Sequence, residues 1–454
     1  MESILKRGRA ILHENPSYLD KYTFLGHHPI GAIDYKNSHG PLLTNTKGET
    51  YYDSSAYWLT NLIDYKKYPE LKSMSGYLGR LAIDAPTMSE MNTPEQAAFT
   101  EMMLHFWPKA VHVYTHPSGT LAVNDACWIA CAAVAEKKHL KPQDLKGVAF
   151  IGAFHGRHDR TADATNPSAK VDFKQYKNRL IRCVAPNVVF DNNGNELKAE
   201  TKALIEKSIG QVEIALKNPK TAYVIIEYPF QAEGGAQVVE KGVLAKLHTL
   251  CQKYKKFLIL DCVQMGGRSW FTRNGKVFPF TSEVLKYADI ITFGKIFRCC
   301  GFMARNPIKL DRGFKEDTMD KNPARIGSTW VGRADQVLSG TAIMETVLQR
   351  KLWKNGLKHT QIILKRLVEV SKGGVLLKPR GRAEDTAYAG WEFATREVRD
   401  KFIGLMRDKY HILMLGAGEK SIRWAPFLDA TDREIKNILD SIEKCCKELT
   451  LASN

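Results

Sequence analysis

The chain has 454 residues, with 44% hydrophobic, 25% charged and 10% aromatic content and a formal net charge of +17. That length exceeds one compact core, and the composition excludes a disordered or collagen-like protein. No stretch reaches the roughly 18 apolar residues of a membrane span, and the amino terminus lacks a signal-peptide apolar run, so an intracellular, cytoplasmic protein is expected.

The basic residues are dispersed in short clusters such as Lys66-Lys67, Lys137-Lys138 and Lys255-Lys256, none interleaved with aromatics. Solvated surface is therefore favoured over a nucleic-acid site. Nine cysteines are present, but no C-x2-C pair recurs, so no metal centre is expected. Cys127 and Cys131 fall on one helical face, where reduced, buried thiols are the ordinary outcome.

In chain order, GPLLTNTKGETYYDSS reads as a hairpin around Lys47-Gly48. Short runs at 145–154, 221–230, 256–265 and 288–294 are rich in β-branched and aromatic residues and read as buried strands. Between the second and third, Val243, Leu244, Leu247 and Leu250 recur at helical spacing. Strand–helix–strand alternation implies right-handed crossovers and a mostly parallel sheet with helices on both faces. Beyond residue 330 the spacing predicts helices at 334–350 and 356–372, strands at 386–395 and 411–416, and a last helix from Thr431 to Leu449. The expected architecture is an α/β large domain over 66–333 and a smaller α+β domain over 334–454. Residues 1–65 would pack on the small domain or on a partner subunit.

Ligands of such sheets sit beyond the carboxyl ends of the strands. FLILDCVQ places Asp261 and Gln264 at one strand end, and ITFGK places Lys295 at the next. A carboxylate there can hold a protonated ring nitrogen, and a desolvated amine can condense with an aldehyde. Those are the two protein groups that pyridoxal phosphate requires. Taken alone, a lysine after a strand is usually a surface lysine.

The ordered set IIEYPFQAEGG, FLILDCVQMGG, ITFGK and GSTWVG resembles class III aminotransferases of pyridoxal-phosphate fold type I, nearest to lysine 6-aminotransferases and 4-aminobutyrate aminotransferases. The likeness runs from about residue 110 to 430. It implies Lys295 as the Schiff-base lysine and proton carrier, Asp261 on the ring nitrogen and Gln264 by the phenolic oxygen. Gly119 and Thr120, in HPSGTLAVNDA, would receive the phosphate at a helix start, which suits an anion, although Ser118-Gly119-Thr120 alone reads as an ordinary turn and cap. Phe154 would stack on the ring with His155 beside it, and Thr329 would reach the phosphate of a neighbouring subunit, implying a homodimer. Arg157 would grip a substrate carboxylate, and Glu233 would cover Arg423 until a 2-oxo acid docks.

Four positions depart from the family pattern. Cys262 stands where a glutamate is usual, Gly327 where lysine-specific members carry asparagine, and Ile296 where a second lysine is common. Arg423-Trp424-Ala425-Pro426 lacks the usual second arginine. The expected activity is transfer of the terminal amine of lysine or a relative to 2-oxoglutarate, giving a semialdehyde and glutamate. Racemisation, decarboxylation or elimination on the same cofactor, or non-catalytic polyanion binding, are the alternatives.

Overall fold

A computed structural model describes residues 2–14, 29–84, 93–167, 179–305, 326 and 329–451. The departure at Gly327 lies outside the described residues. The central sheet has seven strands: β1 (Ala110–His116), β2 (Lys146–Phe150), β3 (Leu180–Cys183), β4 (Thr221–Glu227), β5 (Phe257–Asp261), β6 (Ile290–Phe293) and β7 (Cys300–Arg305). Their spatial order is β1-β7-β6-β5-β4-β2-β3. Only β7 runs against its neighbours; β6, β5, β4, β2 and β3 pair in parallel.

Every residue of β4 and β5 is buried, which is why both segments are almost continuously apolar rather than alternating. One face packs Val224, Ile226, Leu258 and Leu260 against Val243, Leu244 and Leu247 of the crossover helix Val243–Tyr254. The other packs Ala222, Ile225 and Ile259 against the helix Gly119–Lys138. That helix presents Ala126, Cys127, Ala130 and Cys131, small enough for close approach to the sheet, and both thiols are buried and free.

A second, antiparallel sheet orders Leu377–Gly381, Ala389–Glu392, Ser421–Trp424 and Leu415–Ala417. The helices Leu352–Ser371, Arg396–Asp408 and Asp432–Leu451 cover it through Ile363, Leu367, Phe402, Ile438 and Ile442. The last of them begins with a capping box in which Thr431 Oγ1 accepts from Glu434 N and Thr431 N donates to Glu434 Oε2.

The strand expected at 411–416 is two pieces. Ile412–Leu413 pairs in parallel with Thr50–Asp53, and Leu415–Ala417 pairs with Ser421–Trp424. The hairpin at Lys47-Gly48 is present, with Gly48 at φ +86° in the turn between Leu42–Thr44 and Thr50–Asp53. Residues 151–154, expected to continue β2, leave the sheet as a loop.

Candidate active site

The carboxyl ends of β4, β5 and β6 place three polar side chains in one register. Glu227 lies opposite Asp261 on the adjacent parallel strand, and Thr292 lies opposite Asp261 on the other side. Asp261 is buried with both oxygens partnered: Oδ1 accepts from Thr292 Oγ1 at 2.9 Å and Val263 N at 3.1 Å, and Oδ2 lies 2.7 Å from His155 Nδ1. His155 Nε2 is buried with no partner among the described residues, which hold the imidazole on one side only. Glu227 accepts from Phe154 N at 2.8 Å and Ala232 N at 3.3 Å. Burial, reinforced by the nearby Asp261 charge, raises the Glu227 carboxyl well above the usual carboxylate range.

After β6 the chain turns at Gly294, which is extended at φ 174°, into a short 3-10 turn Lys295–Phe297. A Cβ at Gly294 would lie 2.9 Å from Cys300 Sγ. Lys295 Nζ donates to Trp58 O at 3.0 Å. Burial lowers the lysine's affinity for a proton, the Arg423 charge adds to this, and Glu233 opposes it. The result is an amine deprotonated more readily than a surface lysine.

Trp58 belongs to an unusual turn. Ala56, Tyr57, Trp58 and Leu59 all have φ between 52° and 68°, the left-handed region, at roughly 1–2 kcal/mol per residue. Asp53 offsets part of that cost: its carboxylate accepts from Ser55 N at 2.8 Å and Tyr57 N at 2.7 Å.

These groups line one cavity of about 500 Å³, shared by Gly119, Thr120, Phe154, His155, Glu227, Asp261, Gln264, Lys295 and Arg298. Gly119 is the first residue of its helix, and Ser118 Oγ accepts from Leu121 N, leaving the Gly119 and Thr120 N–H groups without helical partners. Gly156, at φ +133°, allows the following loop to close on this helix start; a Cβ there would sit 2.6 Å from Thr120 Oγ1. An anion seat, a carboxylate beside a half-held imidazole, an aromatic ring and an amine with a lowered affinity for its proton thus share one volume. That set fits a phosphate-bearing aromatic aldehyde.

The other expected residues lie outside that lining. Arg423 and Glu233 stand one hydrogen bond behind it: Arg423 Nη1 lies 2.8 Å from Glu233 Oε1 and donates to Gln264 Oε1 at 3.1 Å. Arg157 is exposed, with its guanidinium 5.8 Å from the Phe154 ring centroid. Thr329 is exposed and away from the cavity of its own chain. The sequence alone does not single out Glu227, Thr292 or Arg298. Only the strand ending in IIE gave any hint, for Glu227.

A family model described as Aminotransferase class-III matches residues 25–446. The L-lysine-epsilon aminotransferase of Mycobacterium tuberculosis is 26% identical over 392 residues, covering 82% of this chain and 81% of that protein. The 4-aminobutyrate aminotransferase of Saccharomyces cerevisiae is 24% identical over 449 residues, covering 92% and 90%. Among solved structures, lysine aminotransferase from M. tuberculosis in the internal aldimine form superposes with a TM-score of 0.82 at 23% identity, covering 96% of this chain and 99% of that one. The match spans both sheets and every strand end that lines the cavity, and this chain belongs to the class III aminotransferases, which are pyridoxal-phosphate-dependent enzymes.

Proposed function

We propose that the chain is an ω-aminotransferase that moves the terminal amine of lysine, or of a related amino acid, to 2-oxoglutarate. The observation that carries this reading is the Arg423–Glu233 ion pair behind Gln264. A buried guanidinium covered by a carboxylate that is itself 27% exposed is a seat that can be opened. With Glu233 over Arg423 the site suits a donor whose reacting carbon carries no carboxylate; with Glu233 swung away, Arg423 receives the α-carboxylate of the acceptor. A one-substrate racemisation or decarboxylation has no use for such a pair. The names of the relatives, lysine-epsilon and 4-aminobutyrate aminotransferases, point to the same donor class.

Bound pyridoxal phosphate supplies an electron sink conjugated to the carbon that exchanges its amine. Lys295 would hold the cofactor's aldehyde carbon and, once displaced by substrate, carry the proton between substrate and cofactor. Asp261 would hold the ring-nitrogen proton, its own geometry fixed by Thr292 and His155. Gly119 and Thr120 would bind the phosphate, Phe154 would cover the ring, and Gln264 would lie by the phenolic oxygen. Arg157 would meet a substrate carboxylate. Thr329 would complete the phosphate site of a second copy, in a cytoplasmic homodimer. Residues 66–333 would form the cofactor domain, 334–454 the small domain, and 1–65 a segment packed on the small domain or the partner.

Borohydride reduction of the holoenzyme followed by peptide mapping tests the covalent site, with the label expected on Lys295. A donor half-reaction without acceptor should leave pyridoxamine phosphate on the protein. An unlabelled Lys295, or no pyridoxamine phosphate with any of a panel of diamines and ω-amino acids, would overturn the reading.

A further inference from the structure

A buried guanidinium stands behind the segment that receives the Lys295 amine. Arg268 is fully buried, and no carboxylate pairs with it among the described residues. Its Nη2 donates to Asn61 O at 2.6 Å and its Nη1 to Pro426 O at 3.2 Å. Its Nε is buried with no partner among the described residues. Burial lowers the pKa of this guanidinium to about 10, against Tyr388 and Asp53, and Arg268 stays a cation at neutral pH. A buried charge held by carbonyls alone is a poor source of stability, so its placement calls for another reason.

Its partners supply one. Asn61 N donates to Ala56 O at 2.9 Å, which closes the turn whose four residues all have left-handed φ. A conformation of that kind persists only where the surroundings impose it. Asp53 holds the front of the turn through Ser55 N and Tyr57 N, and Arg268 holds the back through Asn61 O. Between the two clamps lies Trp58 O, to which Lys295 Nζ donates at 3.0 Å. Asn61 Oδ1 also accepts from Arg298 Nη2, at the end of the Lys295 turn, at 3.0 Å.

Arg268 is itself set in the loop that follows β5, the strand ending in Asp261. Its N–H donates to Met265 O at 3.1 Å, and its carbonyl accepts from Ala387 N at 2.8 Å. Pro426, in turn, lies two residues beyond the strand that carries Arg423. One side chain therefore joins the Asp261 loop, the Lys295 acceptor and the Arg423 strand. Its charge also reaches the amine. Burial leads in lowering the affinity of Lys295 for its proton, Arg423 and Arg268 add to it, and Glu233 and Cys300 oppose. We infer that Arg268 is a positioning residue for Lys295: it fixes the 58–61 segment so that the amine has a set acceptor whenever it is not joined to the cofactor. This rests on Lys295 as the lysine that takes the cofactor.

The test compares wild type, Arg268→Met, Arg268→Lys and, as a control, Arg160→Met. Arg160 is another buried arginine on two carbonyls, Leu145 O and Pro142 O, at the amino end of β2, the sheet edge opposite the cavity. Stopped-flow absorbance of the full-length apoprotein with pyridoxal phosphate at pH 8 gives the rate of cofactor capture. It should fall about tenfold or more in Arg268→Met, the scale of a misplaced reacting group. Arg268→Lys keeps the charge and should recover part of the loss. In the holoenzyme, kcat with an amino donor should fall while KM changes less than about twofold, and the isotope effect from deuterium at the reacting carbon should rise. Arg160→Met should lower the unfolding temperature and leave capture at the wild-type rate. If Arg268→Met does not fold, Arg268→Lys decides alone: slowed capture supports the inference and wild-type capture overturns it. A wild-type capture rate in folded Arg268→Met, or an equal slowing in Arg160→Met, also overturns it. Borohydride labelling of the wild type at a residue other than Lys295 would instead sink the reading beneath it.

Discussion

Glu227 and Asp261 face one another across adjacent parallel strands at the floor of the cavity, two carboxyl groups in the same register with different surroundings. Asp261 has a hydroxyl, a backbone N–H and an imidazole around it; Glu227 has two backbone N–H groups and complete burial. Glu227 stays protonated to higher pH than an ordinary glutamate, because burial and then the neighbouring Asp261 disfavour its charged form. Through its two N–H partners Glu227 ties the Phe154 loop to the Ala232-Glu233 loop, so it positions residues on both sides of the site.

Replacing Glu227 separates these roles. Glu227→Ala leaves two buried N–H groups unpaired, at about 1–3 kcal/mol each, and should lower kcat/KM at least tenfold more than Glu227→Gln does. Because the folded-state pKa lies above the unfolded one, the folded protein binds more protons between them, and wild-type stability falls as pH rises through that window. Glu227→Gln escapes this. The stability difference, variant minus wild type, should therefore grow from pH 5 to pH 8, with a limiting slope of about 1.4 kcal/mol per pH unit. Thermal unfolding of the holoenzymes across that range measures it, and a flat difference would show a charged Glu227.

The amine of Lys295 gives a second pH prediction. Its affinity for a proton is lowered by burial and by Arg423, so the reactive neutral form accumulates below the ordinary lysine value of 10.5. The rate of cofactor capture by the apoprotein should rise with pH with its midpoint below 10.5. Stopped-flow absorbance between pH 6 and 10.5 follows it. A midpoint at or above 10.5 would place Lys295 in an unperturbed setting. Arg423→Gln removes one of the lowering charges and should move the rise to higher pH.

Much of this candidate site is legible in the sequence. Asp261 and Lys295 close two apolar, β-branched runs, and strand ends in a parallel sheet converge on one edge, so reading the last polar residue of each run finds them. Glu227 closes a third such run yet looks like the boundary of a strand, because nothing local says that its carboxyl turns inward. Arg298 is invisible for a different reason: it ends the tight turn after Lys295 at φ +59°, a conformation that uses no glycine to announce it. Ser421–Trp424, which carries Arg423, is only four residues long and gives no periodicity to read. The motif supplied Arg423 where the pattern could not.

The loop–helix contact at the anion seat makes a prediction about cofactor retention. Gly156 combines φ +133° with a Cβ position 2.6 Å from Thr120 Oγ1 and 2.8 Å from Thr161 Oγ1. Gly156→Ala must move the helix start, the loop or both, at about 1–3 kcal/mol for the backbone alone. Affinity for pyridoxal phosphate should fall about tenfold or more by that energy, read by titrating the apoprotein. Thr120→Val removes one hydroxyl without a clash, so its loss should be smaller; an equal loss would locate the effect in the hydroxyl instead of the close approach.

The Glu233–Arg423 pair predicts opposite effects on the two half-reactions. Arg423 is 3% exposed, and its Nη1 is shared between Glu233 and Gln264. Removing the carboxylate in Glu233→Ala leaves a buried guanidinium with Gln264 as its remaining side-chain partner, a state that an incoming α-carboxylate relieves. The KM for 2-oxoglutarate should therefore drop severalfold, while kcat/KM for an ω-amino donor falls, because an open Arg423 also captures the donor's carboxylate in the wrong orientation. α-Amino acids such as glutamate should react faster in the variant, and the preference for terminal over α-amines should shrink by about tenfold, the scale of one exposed-to-buried charge contact. Stopped-flow half-reactions with each substrate class separate these effects. Parallel losses with donor and acceptor would mean that Glu233 only braces Arg423, and the two-position gate would then have no support.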